Sequence, residues 1–100
     1  MIYKVYFTPT AREMLETVTN PHRSTIIERI GRLRTDPEKQ GKPLTANLKG
    51  YRSLRVAGRY RAIYQVQRSK ITVLVMGVGM RKEGDKADVY ELVKKLLDLV

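Results

Sequence analysis

The 100-residue sequence predicts a single α+β domain spanning residues 1–100, with element order β-α-α-β-β-β-α. Three observations lead there. Apolar residues recur at helical spacing in three segments, one beginning at Ala11, one at Ile26 and one at Val89. Runs rich in β-branched and aromatic residues occupy 2–7, 51–56, 60–66 and 71–78. Pro- and Gly-bearing stretches separate them. The expected architecture is an antiparallel sheet packed on an N-terminal helical hairpin, with the C-terminal helix at the other side.

Residues 2–7, Ile-Tyr-Lys-Val-Tyr-Phe, form the first strand. Thr8-Pro9 is a helix start, with Thr8 as N-cap and Pro9 at the first helical position. Ala11, Met14, Leu15 and Val18 then repeat at i, i+3, i+4, i+7 as one apolar stripe. Asn20-Pro21 repeats the start signal, and Ile26, Ile27, Ile30 and Leu33 form a second stripe. The short link makes the two helices an antiparallel hairpin. Asp36-Pro37 ends the second helix, and residues 37–50 are a connecting loop. Strands 51–56 and 60–66 flank a tight turn at Ala57-Gly58-Arg59. Strand 71–78 is nearly all apolar, as a central strand covered on both faces is. Residues 79–84 are a polar loop. Asp85 starts the last helix, with Asp88 well placed against the helix dipole, and Val89, Leu92, Val93, Leu96, Leu97 and Val100 make its apolar stripe.

Charge is unevenly spread. From Lys39 to Lys82 there are eleven basic residues and no acidic one, whereas the rest of the chain is nearly neutral. A one-sided field of this kind attracts polyanions, of which nucleic acid is the default; an acidic protein partner fits the same field. The absence of cysteine excludes disulfides, thiolate nucleophiles and Cys-based zinc sites, and the single histidine, His22, excludes a two-His acid/base pair. No apolar run approaches the roughly 20 residues that span a bilayer, and the N-terminus lacks a signal-peptide pattern, so a soluble cytoplasmic protein with no membrane partner is expected.

Strand alternation sorts the basic residues. Leu54 and Val56 share one face, and Tyr51, Ser53 and Arg55 the other; Ala62, Tyr64 and Val66 oppose Arg61, Ile63 and Gln65. The helical hairpin needs an apolar partner and should cover Leu54, Val56, Ala62 and Val66. Arg55 and Arg61 then turn to the other face. Arg81-Lys82 and the start of the last helix emerge beside that surface, with Tyr90 at the margin of the helix's apolar stripe. Tyr90 there is either a core-edge residue or the rim of a basic groove. Glu83, Asp85 and Asp88 would hold Mg²⁺ only with help from substrate phosphates, and the helix-dipole reading is favoured for them. The serines have no histidine beside them to form a nucleophile triad, and there is no phosphate-binding glycine motif. One hydrolytic route needs no metal, cysteine or His pair: RNA carries its own nucleophile in the 2′-OH, arginines stabilise the phosphorane, and a tyrosine among cations can act as base.

The segment Leu48-Lys49-Gly50-Tyr51-Arg52-Ser53-Leu54-Arg55-Val56-Ala57-Gly58-Arg59-Tyr60-Arg61-Ala62-Ile63-Tyr64, with Gly77-Val78-Gly79-Met80-Arg81 and then Asp88-Val89-Tyr90, resembles the RelE/ParE superfamily of bacterial toxins over essentially the whole chain, nearer the RelE-type branch. The resemblance implies the toxin of a type II toxin–antitoxin system, a cofactor-free endoribonuclease that cuts translated mRNA in the ribosomal A site. Its chemistry would be in-line attack of the 2′-OH, leaving a 2′,3′-cyclic phosphate and a 5′-OH. By this similarity Arg61 binds the scissile phosphate, Arg81 assists the transition state or leaving group, and Tyr90 is general base or orients the 2′-OH. Lys49, Arg52, Arg55, Arg59, Lys82 and Lys86 are the expected RNA contacts, Arg52 and Arg55 standing where relatives often carry lysines. The segment 82–87 is longer than in many relatives. Implied partners are a cognate antitoxin, the ribosome with its rRNA, mRNA, and operator DNA only through the antitoxin complex. Two alternatives stay open: a non-enzymatic ParE-like toxin that inhibits gyrase by contact, and an inactive homologue that only binds antitoxin and DNA.

Overall fold

The computed structural model describes residues 1–98. Strand β1 is Lys4–Phe7, followed by helices α1 (Pro9–Glu16) and α2 (His22–Gly31) and a 3₁₀ turn at Arg32–Arg34. A two-residue strand β2 (Lys42–Pro43) precedes β3 (Arg52–Ala57), β4 (Tyr60–Gln67), β5 (Thr72–Met80) and helix α3 (Val89–Asp98). The five strands form one sheet in the order β1-β5-β4-β3-β2.

Local chemistry accounts for most boundaries. The Thr8 side chain accepts from Ala11 N at 3.1 Å, with Pro9 at the first helical position. Asn20 Oδ1 accepts from the backbone N and the Oγ of Ser24, at 3.2 and 2.8 Å, holding the entry to α2. Gly58 has φ +50 in the β3–β4 turn, where a glycine carries no side-chain penalty.

The α+β class, the helical hairpin and the separate C-terminal helix are as the sequence predicts, and four details differ. β1 runs parallel to β5 in a sheet otherwise antiparallel. The helical hairpin is the crossover between β1 and the rest of the sheet, and a crossover of that length permits parallel pairing. β2 is a short extra edge strand inside the expected loop. Helix α2 ends at Gly31 rather than Asp36: the chain tightens into a 3₁₀ turn, and Asp36 then takes φ +47, which a helix cannot contain. The last helix starts at Val89, not Asp85, because residues 82–88 form successive turns. Asp85 N donates to Lys82 O, the Asp85 side chain accepts from Ala87 N, and Gly84 has φ +79. Val100, expected in the last apolar stripe, lies outside the described residues.

The sheet divides the core in two. On one face α1 and α2 bury Ala11, Leu15, Val18, Ile26, Ile30 and Leu33 against Leu54, Val56, Ala62, Tyr64, Val73, Val75 and Val78. On the other, Ile63 and Leu48 pack with Val89 and Val93 of α3, with Tyr51, Met76 and Tyr90 at the margin. Leu54, Val56, Ala62, Tyr64 and Val66 thus lie on the hairpin face and Ile63 on the α3 face, as the alternation along β3 and β4 predicts. Gly77 lets α3 sit close: a Cβ there would stand 2.7 Å from Val93 Cγ2. This seating of α3 brings Tyr90 over the sheet beside β3.

Candidate active site

Three segments build the site: the β3–β4 hairpin, the end of β5 and the start of α3. β3 and β4 project Arg55 and Arg61 from directly opposed positions on the α3 face. Like charges facing each other across a strand pair oppose folding, so a fold that keeps them stores attraction for an anion. Arg61 Nη1 donates to the carbonyls of Gly58 and Tyr60 at 3.3 and 3.2 Å, drawing its head toward the turn. Arg81 lies just past the end of β5, and its N–H donates to Arg59 O at 2.8 Å, extending the β4–β5 ladder by one bond.

Asp88 organises the third segment. Its Oδ2 accepts from Arg81 Nη1 at 2.6 Å and from Tyr90 N at 3.2 Å, and its Oδ1 accepts from Lys82 N at 2.5 Å. It is therefore the N-cap of α3 as well as the counter-ion of Arg81. Burial pushes its carboxyl pKa up, but the Arg81 guanidinium and the two backbone N–H groups outweigh that and hold it below the usual carboxylate value. The same bond raises the Arg81 pKa. The sign follows: stability from this pair is fully present above the unfolded carboxyl pKa of about 3.9 and is lost as pH falls through the lower folded value. Denaturant unfolding at a series of pH values should show that acid-side loss shrink in Asp88→Ser.

The Arg81 Cζ stacks over the Tyr90 ring, 4.4 Å from its centroid. The Tyr90 hydroxyl is 2.8 Å from Ser53 Oγ, a residue of β3 that is 7% exposed. Arg55, Arg61, Arg81, Tyr90 and Ser53 line one cleft of about 520 Å³. A second concavity of about 650 Å³ shares Arg61 and Arg81 and adds Arg59, Lys82 and Asp85. Arg61, Arg81 and Tyr90 therefore face common space, the arrangement the strand alternation implies, with Arg55, Arg59 and Lys82 around it.

Three expected RNA contacts are placed elsewhere. Arg52 lies on the helical-hairpin side of β3, where its guanidinium donates to Gln40 O and Gly41 O at 3.2 and 3.3 Å. The buried Tyr64 hydroxyl bonds the same loop, at Pro37 O and Gln40 O, so Arg52 braces loop 37–41. Lys49 and Lys86 are exposed and line neither concavity. Sequence reasoning missed Ser53 and Asp88 as partners of the site. Ser53 shares a face with Arg55 by strand parity, and Asp88 immediately precedes Val89-Tyr90, so each carried a signal. Among the described residues no three His, Asp or Glu side chains gather as a metal site would require.

The profile of the ParE toxin of type II toxin–antitoxin systems, parDE, matches residues 5–84. The chain belongs to the ParE toxin family. The match includes Arg61 and Arg81 and stops short of Asp88 and Tyr90. A chain of the RelBE2 toxin–antitoxin complex from Mycobacterium tuberculosis is 34% identical, with 81% of this chain and 100% of that chain covered and a TM-score of 0.74. A mutant of E. coli RelE in the free state shares the fold at 17% identity, covering 100% of both chains with a TM-score of 0.75. A chain of the archaeal RelE–RelB complex from Pyrococcus horikoshii does so at 22% identity, covering 84% of this chain and 100% of that one with a TM-score of 0.65. No curated protein matched this ParE-family toxin. Its membership in the RelE/ParE superfamily of type II toxins agrees with the resemblance read from the sequence, and no described helix is long and apolar enough to cross a membrane.

Proposed function

We propose that this ParE-family toxin is a ribosome-dependent endoribonuclease that cuts translated mRNA in the ribosomal A site by 2′-OH attack. The observation that carries the reading is the convergence of Arg55, Arg61 and Arg81 with the Tyr90 phenol on one cleft. Arg61 would bind the scissile phosphate, and Arg81 the charge that develops on the phosphorane and the departing 5′-oxygen. Tyr90, stacked by Arg81 and held at its hydroxyl by Ser53, would take the 2′-OH proton or orient that hydroxyl. No step calls on a metal or cofactor. Arg55, Arg59 and Lys82 would track the RNA backbone and rRNA.

The same basic surface suits an acidic, amphipathic antitoxin, which would cover the cleft and block RNA entry; operator DNA would then be met only through the complex. RelE relatives solved with their antitoxins support a cognate partner here.

Primer extension on one translated and one untranslated message during brief expression tests the activity. Codon-phased cuts confined to the translated message are expected. Intact messages with trapped gyrase would favour the contact-inhibitor reading instead, and harmless high-level expression the inactive one.

A further inference from the structure

We infer that Asp88 is a positioning residue for cleavage, locking Arg81 and Tyr90 into one mutual pose. The inference rests on the ribonuclease reading and deepens it at the same site.

Asp88 is a carboxylate only 1% exposed, held at the start of α3. Capping a helix does not require a charge: serine, threonine or asparagine serves as well, without the desolvation penalty of a buried ion. Among the described residues the charge at Asp88 has one side-chain partner, Arg81. A single atom, Oδ2, receives both the Arg81 guanidinium and the backbone N–H of Tyr90. The two side chains assigned to the chemistry are thus referenced to one point. The other oxygen ties down Lys82 N, so the chain leaving β5 and the chain entering α3 close on the same carboxylate. The intervening loop 83–87 is exposed throughout, so its own turn hydrogen bonds compete with water, whereas the Asp88 carboxylate is buried.

The pose suits a phosphate ligand. Asp88 engages Nη1, and Arg81 remains 29% exposed toward the cleft. On Nη2 sits only Glu83, 3.7 Å away and 83% exposed, a loose pair that an incoming phosphate can replace. Freed from Asp88, the Arg81 side chain would regain its rotamers and the stack on Tyr90 would become one arrangement among several.

Asp88→Ser and Asp88→Asn keep a cap and remove the charge. With folding verified by circular dichroism, single-turnover cleavage on programmed ribosomes is expected to slow by about 10- to 100-fold in both, with the half-saturating toxin concentration little changed. In an Arg81→Ala background, Asp88→Ser should add little further loss, because both act through one group. The Arg81 Nε–H resonance is expected to stand apart in the wild type and to move toward the averaged position of exposed arginines in Asp88→Ser; this readout does not depend on activity. Unchanged cleavage in both variants, full additional loss in the Arg81→Ala background, or an unmoved Arg81 resonance would overturn the inference. So would unfolding of both variants, since the charge would then serve the fold. A wild-type protein that leaves messages intact would instead sink the ribonuclease reading, with the resonance still deciding the role of Asp88.

Discussion

Replacing Arg81 by alanine should lower the single-turnover rate of A-site cleavage by about 10²- to 10³-fold, the range found for removing one preorganised donor from a developing oxyanion. It should also lower stability, because the buried Asp88 carboxylate loses its counter-ion; the rate is measured on protein whose folding is verified by circular dichroism. Among the described residues the side chain is held by Asp88, Glu83 and the Tyr90 ring, none of them in the main core. Arg81→Lys should recover little, because a compact ammonium cannot hold Asp88, cover the ring and present further donors together. Tyr90→Phe separates the hydroxyl from the stack. It keeps the aromatic face beneath Arg81 and loses the contact to Ser53, so a loss of about 10²- to 10⁴-fold is expected, in the range of general acid–base contributions. Near-wild-type rates in both Arg81→Ala and Tyr90→Phe, measured on programmed ribosomes, would remove these residues from the chemistry. Arg55→Ala should act mainly on binding, since that arginine is exposed at the rim of the cleft.

The second large effect concerns stability. Ile63→Ala is expected to cost about 2–5 kcal/mol, the usual range for truncating a fully buried isoleucine. Ile63 is 0% exposed and forms, with Leu48, Val89 and Val93, the small core beneath α3. A cavity there would loosen the helix that carries Tyr90, so cleavage should weaken along with the melting temperature, which should drop by on the order of 10 °C or more for a domain of this size. Ile27→Ala, at a half-exposed position, should shift melting far less. Equal melting temperatures for the two variants would contradict the two-core description.

The face assignment was legible in the sequence because side chains alternate along β3 and β4 outside the irregularity between Arg55 and Ala57: once Leu54, Ala62 and Val66 meet the hairpin, Arg55, Arg61 and Ile63 point away. The same parity places Arg52 with Leu54 on the helical-hairpin face, where its guanidinium bonds Gln40 O and Gly41 O; its place among the RNA contacts came from the family resemblance, not from the alternation. The start of α3 was not legible. Asp85 and Asp88 carry the same local capping signal, and the choice between them depends on Arg81 and the backbone of Lys82, which reach Asp88 only in the folded chain. The direction of β1 was hidden for a similar reason, since residues 2–7 encode a strand but not the partner beside it. A two-residue strand such as β2 has no periodicity to read.

The most direct test of a shared phosphodiester is a message with a single 2′-deoxynucleotide supplying the would-be nucleophilic position in the A-site codon. The toxin on a programmed ribosome should cut the all-ribose message, leaving a 2′,3′-cyclic phosphate and a 5′-OH, and should leave the deoxy-substituted message whole. Equal cutting of both messages would contradict 2′-OH attack in the cleft formed by Arg61, Arg81 and Tyr90.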